Sequence, residues 1–167
     1  TPERTVESST ALIGQVAEAL GATEAGKRLT ARVDRELAEA KAAQPDPTGD
    51  PTIAFLYIRG ERLILLAGPG SGADNLITHL GGRDAGTVAG MTAPFTAVGT
   101  ESLMAADPDV ILVMTQGAES VGGMDEVLKL PAVAGTSAGR SHRIVAMDET
   151  QILSFGPDVG LILTALS

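Results

Sequence analysis

Tyr57 and Arg59 are the residues whose types and spacing most clearly suggest chemistry. Tyr57 is the only tyrosine in a chain whose aromatic content is 2%. Residues two apart on an extended strand point to the same side, so a guanidinium can meet the phenol and favour its ionised form. A phenolate is a hard oxygen donor suited to Fe(III), and tyrosine is an established axial ligand of haem iron. Taken alone, the pair is better explained as a solvated tyrosine beside an arginine that solubilises a turn.

Other patterns that could carry chemistry are weaker. The segment GPGSGAD at residues 68–74 could cradle a phosphate at a helix start. It lacks the GK[ST] ending of a Walker loop and the GxGxxG spacing, so a tight strand-to-helix turn is the simpler interpretation. His79 and His142 are far apart in sequence, and we expect each to be structural or solvated. The chain contains no cysteine, which excludes thiolate metal sites and thiol nucleophiles. We therefore predict that the protein is not an enzyme.

The elements that must position these residues alternate along the chain. Apolar stripes at helical spacing predict a first helix capped by Thr5 or Ser8 and ended by Gly21, and a second begun by Thr23. The other predicted helices cover residues 73–80, 101–106, 124–130 and 157–166. The predicted strands cover residues 52–58, 63–67, 95–98, 110–114 and 143–147. The predicted irregular segments are 44–51 and 83–94.

Strands that are apolar on both faces and alternate with helices indicate an α/β fold. Such strands form a mostly parallel sheet, and helices cover it on both sides. Ligands of open α/β sheets gather at the carboxyl ends of the strands. Tyr57 lies at such an end, so we expect it to face a ligand.

The acidic composition narrows the class of partner. A net charge of −9 and a pI of about 4.6 argue against nucleic acid, which requires basic patches. No apolar run reaches the length of a membrane span. The chain starts TPERTVESS, without Met and without a leader pattern. This start fits an internal cut in a longer protein and a processed N-terminus equally well.

Four segments stand in a characteristic order along the chain. They are TIAFLYIRG at 52–60, AGPGSGADNLITHLGG at 67–82, ESLMAADPDVILV at 101–113 and FGP at 155–157. Together they resemble the C-terminal half of the helical-backbone (class III) substrate-binding proteins of ABC importers, which carry haem, ferric siderophores or cobalamin. The resemblance implies one lobe of a transport receptor that works outside the cytoplasm.

Within that family, the Y-x-R of Tyr57 and Arg59 looks like the haem-binding branch, especially the haem-binding lipoproteins of actinobacteria. The resemblance implies that Tyr57 is the axial ligand of ferric haem iron and that Arg59 supports the phenolate. It also implies a membrane-anchored lipoprotein that delivers haem for iron uptake, and an N-terminal lobe, not in this sequence, that supplies an axial histidine. A siderophore or cobalamin remains the alternative cargo, and a phosphate-binding enzyme fragment is the alternative outside the family.

The same resemblance implies contact with the ABC transporter permease through Glu101. A carboxylate in the first turn of a helix is in any case favoured by the helix dipole. Small apolar side chains near the strand ends, among them Met91 and Met114, are expected to contact the porphyrin face.

The resemblance divides the chain into residues 1–22, the linker helix between lobes, and residues 23–167, the C-terminal α/β lobe. The surface that would cover the apolar stripe of the linker is not in this sequence. We therefore expect an exposed patch at Leu12, Val16 and Leu20, with a tendency to self-associate.

Overall fold

A mixed β-sheet forms the centre of the lobe in the computed structural model, which describes residues 5–43, 49–149 and 155–166. Within these residues the sheet has six strands. They are β1 (Thr52–Arg59), β2 (Leu63–Ala67), β3 (Arg83–Asp84), β4 (Phe95–Ala97), β5 (Val110–Met114) and β6 (Ile144–Met147). Five follow the order β4-β2-β1-β5-β6, and the short β3 pairs with the start of β1.

The sheet is mostly parallel, as predicted. β1 runs parallel to β3 and β5, and β5 runs parallel to β6. β2 is antiparallel to its two neighbours, β1 and β4. Only residues 60–62 separate β1 from β2. A connection this short reverses the chain into a hairpin and cannot form the crossover that a parallel partner requires.

Helices cover both faces of the sheet. In the described residues they are α1 (Val6–Ala19), α2 (Thr23–Ala43), α3 (Ala73–His79), α4 (Ala85–Val88), α5 (Thr100–Ala106), α6 (Thr115–Glu119), α7 (Met124–Lys129), α8 (Pro131–Ala134), α9 (Ser137–Arg140) and α10 (Val159–Leu166). α1, α2, α3 and α10 pack with Phe55 and Leu112 on one face. α4 to α9 pack with Leu56 and Val113 on the other. Alternate strand residues thus enter two cores, which confirms the predicted α/β architecture.

Local signals in the sequence set the bounds of α1. The Thr5 side chain accepts a hydrogen bond from the Ser8 amide, and Ser8 Oγ accepts one from the Thr5 amide, both at 3.1 Å. This reciprocal capping box begins the helix where the sequence predicts it. Gly21 follows the helix with φ of 66°, a left-handed conformation that glycine adopts without strain.

The outward face of α1 carries the expected apolar patch. Leu12, Val16 and Leu20 keep 54%, 49% and 75% of their surface exposed. Among the residues that the structure describes, no helix is both long enough and apolar enough to cross a bilayer.

Residues 83–94 are more ordered than the sequence suggests. β3 and α4 fall within them, because the Asp84 carboxylate accepts a hydrogen bond from the Thr87 amide at 2.7 Å and so caps α4. The helices α6, α8 and α9 are also missing from the prediction. Each has only four or five residues, too few to give a periodic apolar pattern.

Two predicted helix starts are displaced. Gly99, rather than Thr100, is the N-cap of α5. The last helix begins at Val159 rather than at Pro157. Most of the loop predicted at 44–51 lies outside the described residues.

Candidate functional site

Tyr57 and Arg59 meet at the end of β1. Tyr57 pairs with Leu65 of β2 and is half-buried, whereas Arg59 is exposed. The Nε–H of Arg59 donates a hydrogen bond of 2.6 Å to the phenolic oxygen of Tyr57. The guanidinium carbon also lies 5.6 Å from the centre of the tyrosine ring. The strand therefore holds a cation against a phenol oxygen, as the spacing of two residues predicts.

Phe95 is an aromatic neighbour that sequence reasoning did not assign to the site. Its ring lies edge-on to that of Tyr57, with centroids 6.4 Å apart and planes at 67°. Such edge-to-face pairs are favourable and restrict the orientation of both rings. The contact depends on β4 pairing with β2, which no local motif announces.

Apolar side chains support Tyr57 from the interior. Tyr57, Phe95 and Met147 pack against the core that contains Met114. Met114 pairs with Met147 across β5 and β6 and is only 8% exposed, so it backs the site from within. Met91 packs against the core of the opposite face. Met91 thus packs on the face of the sheet opposite to Tyr57, and its contact with a porphyrin stays a prediction.

The turn after Arg59 is tied to α6. The amide of Gly60 donates a 2.9 Å hydrogen bond to Ser120 Oγ, and the Ser120 hydroxyl donates one of 2.7 Å to the Gly117 carbonyl. A Cβ built on Gly117 would lie 3.1 Å from the carbonyl oxygen of Ile58, so α6 approaches the backbone of β1 closely. The hairpin tip is thus held by a hydroxyl group of a neighbouring helix.

The glycine loop before α3 is already occupied by an acidic side chain. The Asp74 carboxylate accepts hydrogen bonds from the amides of Gly70 at 2.8 Å and Gly72 at 2.9 Å. These are the backbone donors that a phosphate would require. Asp74 would also repel a second anion, so the loop fits a tight turn better than a phosphate site.

A cavity of about 710 Å³ lies near the start of β1, at the end of this strand opposite to Tyr57. Asp84, which lines it, pairs with Ile53 near the start of β1. Burial raises the pKa of Asp84, and its hydrogen bonds from Thr87 offset this only in part. One oxygen of this carboxyl has no hydrogen-bond partner among the residues that the structure describes. The cavity is separate from the Tyr57 end of β1, and Asp84 serves there as the cap of α4.

The two histidines do not converge on Tyr57. His79 Nε2 lies 3.0 Å from a Glu7 carboxylate oxygen, and His79 Nδ1 lies 2.9 Å from the carbonyl oxygen of Asn75. Burial acts to raise the pKa of Glu7, but its hydrogen bonds and the charge of His79 outweigh this and lower it. His79 therefore links α3 to the first turn of α1, and His142 is exposed in a turn.

Glu101 is exposed in the first turn of α5. A carboxylate at this position is favoured by the helix dipole and is accessible to a partner.

An α/β lobe with two helical layers and polar groups at the open end of its sheet is the architecture of a ligand-binding lobe. The chain belongs to the periplasmic binding protein family, whose model matches residues 1–150. Members of this family are non-enzymatic transport components that act outside the cytoplasm, which confirms the prediction that the chain is not an enzyme. No match was found among curated proteins.

Solved structures of haem-binding proteins resemble the chain closely. The periplasmic heme-binding protein RhuT from Roseiflexus sp. RS-1, in apo form, is 40% identical, with a TM-score of 0.91 over 98% of this chain. The periplasmic heme-binding protein BhuT, in complex with two hemes, is 35% identical with a TM-score of 0.89, again over 98%. The heme-binding protein HmuT is 31% identical with a TM-score of 0.90, also over 98%.

The chain spans only part of these relatives. It covers 62% of RhuT, 62% of BhuT and 54% of HmuT. Variants of HmuT have been solved in which a histidine, a tyrosine or an arginine is replaced by alanine.

Proposed function

We propose that this lobe binds haem through an iron–phenolate bond from Tyr57 and forms part of an extracytoplasmic receptor that delivers haem to an ABC transporter permease. The observation that carries the proposal is the 2.6 Å hydrogen bond from Arg59 to the phenol oxygen at the carboxyl end of β1. Likeness to three haem-binding proteins supports the choice of cargo.

Arg59 prepares the phenol oxygen for iron. Once the iron–phenolate bond has formed, the positive charge of Arg59 would stabilise the negative oxygen through a charged hydrogen bond. Arg59 donates to one lone pair of this oxygen and cannot accept its proton at neutral pH. The phenol proton would therefore pass to solvent as iron binds, and the other lone pairs would hold the metal. A phenolate is a hard anionic donor, so it favours ferric over ferrous haem iron.

Tyr57 and Arg59 have the same spacing as two residues that were replaced in variants of HmuT. The tyrosine and the arginine replaced in those variants are two positions apart in HmuT. Tyr57 and Arg59 have the same spacing and the same order, which supports equivalent roles. The histidine replaced in a third variant is consistent with an axial ligand from a second lobe.

A bare metal ion is a poorer candidate for cargo than haem. The described residues contain no group of three or more His, Cys, Asp or Glu side chains that could hold one. The porphyrin supplies the equatorial nitrogen donors itself, so the protein needs to supply only axial ligands. A siderophore or cobalamin would not require a phenolate next to a guanidinium.

Hemin titration tests the ligand assignment. Tyr57→Phe removes only the phenolic oxygen and keeps the ring that packs against Phe95. It therefore separates loss of the oxygen from loss of the ring, which Tyr57→Ala combines. Both variants should lose the iron–phenolate charge-transfer band and bind hemin more weakly. A Soret spectrum and affinity unchanged in both would rule out Tyr57 as the ligand.

A thermal-shift panel separates the possible cargos. A ligand that binds only the folded state raises stability by RT ln(1 + [L]/Kd). Hemin should raise the melting temperature, whereas cobalamin, a ferric siderophore and a nucleotide should not. A larger shift with any of those three would reassign the cargo.

We propose that Glu101 docks the intact receptor, meaning this lobe together with a second lobe, on the permease. Its exposure in the first turn of α5 supports this role. Glu101→Lys should abolish haem uptake while leaving hemin binding unchanged. Glu39→Lys, a charge reversal at an exposed position on α2, is the control and should leave both unchanged.

We also propose that residues 1–22 link the two lobes and that the intact receptor is a membrane-anchored lipoprotein. α1 is fastened to this lobe by a 2.8 Å hydrogen bond from the Val6 amide to Asn75 Oδ1 and by the contact of Glu7 with His79. Its exposed patch would then face the second lobe.

A further inference from the structure

We infer that Ser120 is a positioning residue for haem ligation, because it fixes the turn that carries Arg59. This inference rests on the proposed function of Tyr57 and adds to it a residue from another part of the chain. Arg59 is the last residue of β1, and its neighbour Gly60 begins the turn with φ of 64°. The orientation of the Arg59 side chain therefore depends on how firmly this turn is held.

A side-chain hydrogen bond to the backbone of the turn comes from Ser120, the C-cap residue that follows α6. Within the described residues, Gly60 N–H donates to Ser120 Oγ at 2.9 Å. The Ser120 hydroxyl uses its own proton to bond the Gly117 carbonyl at 2.7 Å, so its oxygen is oriented to accept from Gly60. One serine hydroxyl thus joins the hairpin tip to the helix.

α6 is itself fixed at its start and in its middle, which makes it a firm support. At its start, the Gln116 amide donates to a Glu149 carboxylate oxygen at 2.6 Å, which ties the helix to the segment after β6. In its middle, Gly117 is buried against the backbone of Ile58, which lies between Tyr57 and Arg59 on β1. Because this helix is held in place, the hydrogen bond from Gly60 to Ser120 restrains Gly60 and, through the backbone, the adjacent Arg59.

Loss of the Ser120 hydroxyl should release Arg59 without unfolding the lobe. Ser120 is exposed, so water can satisfy the Gly60 amide in Ser120→Ala, and the cost to the fold is small. Arg59 then samples more orientations and spends less time against the phenol oxygen. We expect hemin to dissociate about two- to tenfold faster, the range that corresponds to one lost hydrogen bond. The iron–phenolate band of the hemin complex should also shift, because Arg59 contacts the phenol oxygen less of the time.

Three variants separate positioning from a merely structural effect. Ser120→Thr keeps the hydroxyl and should behave like the wild type. Ser141→Ala removes an exposed serine at the equivalent cap position of α9 and should change neither haem measurement. Ser120→Ala combined with Arg59→Ala should match Arg59→Ala alone, because Ser120 acts through Arg59.

The outcomes distinguish this inference from the function on which it rests. If Tyr57→Phe keeps the wild-type haem spectrum, the proposed function fails. If Tyr57→Phe loses the iron–phenolate band but Ser120→Ala changes only the melting temperature, the inference alone is overturned. Additive effects of Ser120→Ala and Arg59→Ala on dissociation would also overturn it.

Discussion

Replacement of Arg59 measures how much the guanidinium contributes to haem binding. Arg59→Ala removes the 2.6 Å hydrogen bond to Tyr57 and the positive charge beside the phenol oxygen. Arg59→Lys keeps a positive charge but loses the planar Nε–H donor, whose direction the strand sets. Arg62→Ala is the matched control, because Arg62 is an exposed arginine of the same hairpin that lines a separate pocket beside Val98.

The expected magnitude follows from the strength of a charged hydrogen bond and from its exposure. A hydrogen bond to a charged group contributes about 1.5–3 kcal/mol, and unit charges about 4 Å apart in water interact by about 1 kcal/mol. Arg59 is exposed, so solvent screening moves the contribution toward the lower value. We therefore expect Arg59→Ala to weaken hemin binding by about 1–2 kcal/mol, which is about five- to thirtyfold. Arg59→Lys should lie between Arg59→Ala and the wild type.

Hemin titration followed at the Soret band gives the dissociation constants, at about 0.15 M salt and again at about 1 M salt. The difference between Arg59→Ala and the wild type should shrink at high salt, because exposed charges are screened there. An Arg59→Ala affinity within twofold of the wild type would refute the electrostatic argument. Equal weakening by Arg62→Ala would show that net charge, rather than contact with the phenol, is responsible.

Three further predictions concern the scaffold. Gly86→Ala should destabilise the lobe by several kcal/mol, because a Cβ there would collide with the backbone at the end of β2. Gly14→Ala, which has open space around it in the middle of α1, should instead stabilise the lobe by about 0.5–1 kcal/mol. Urea unfolding measures the free energy of unfolding of both variants. Leu12→Glu combined with Val16→Glu should reduce self-association in sedimentation experiments, and an unchanged sedimentation coefficient would exclude the patch as the contact. Asp84→Asn should raise the melting temperature at pH 7, because a raised pKa in the folded state means that the ionised carboxyl opposes folding. That gain should shrink as the pH falls and Asp84 takes up its proton, and a gain that grows at low pH would contradict the assignment.

Local patterns predicted the parts of the fold that depend on neighbouring residues. The capping box of Thr5 and Ser8 that begins α1 could be predicted, because its hydrogen bonds join residues only three positions apart. The same holds for Tyr57 and Arg59, since the pleat of any extended strand brings residues two apart to one side. Their hydrogen bond could therefore be anticipated without knowledge of the rest of the sheet.

Contacts between distant segments could not be predicted in this way. Phe95 reaches Tyr57 only because β4 pairs with β2 and β2 pairs with β1. Ser120 reaches Gly60 across sixty positions of sequence, through a helix of five residues that has no periodic signal. Asp84 caps a helix inside a stretch whose composition indicates a loop. In each case the decisive interaction is a tertiary contact or a single side-chain hydrogen bond.

The hairpin holds Tyr57 in a fixed position, as the proposed ligand role requires. Tyr57 lies inside the paired ladder, opposite Leu65, and not in the loop beyond the strand. Its backbone is therefore held by β2, the preceding residue Leu56 pairs with Val113 of β5, and Phe95 restricts its ring. Because the phenol oxygen and Arg59 lie at the carboxyl end of β1 and are held by these contacts, haem would meet a donor whose position is set before binding. Little ordering entropy then remains to be lost on the protein side when the iron–oxygen bond forms.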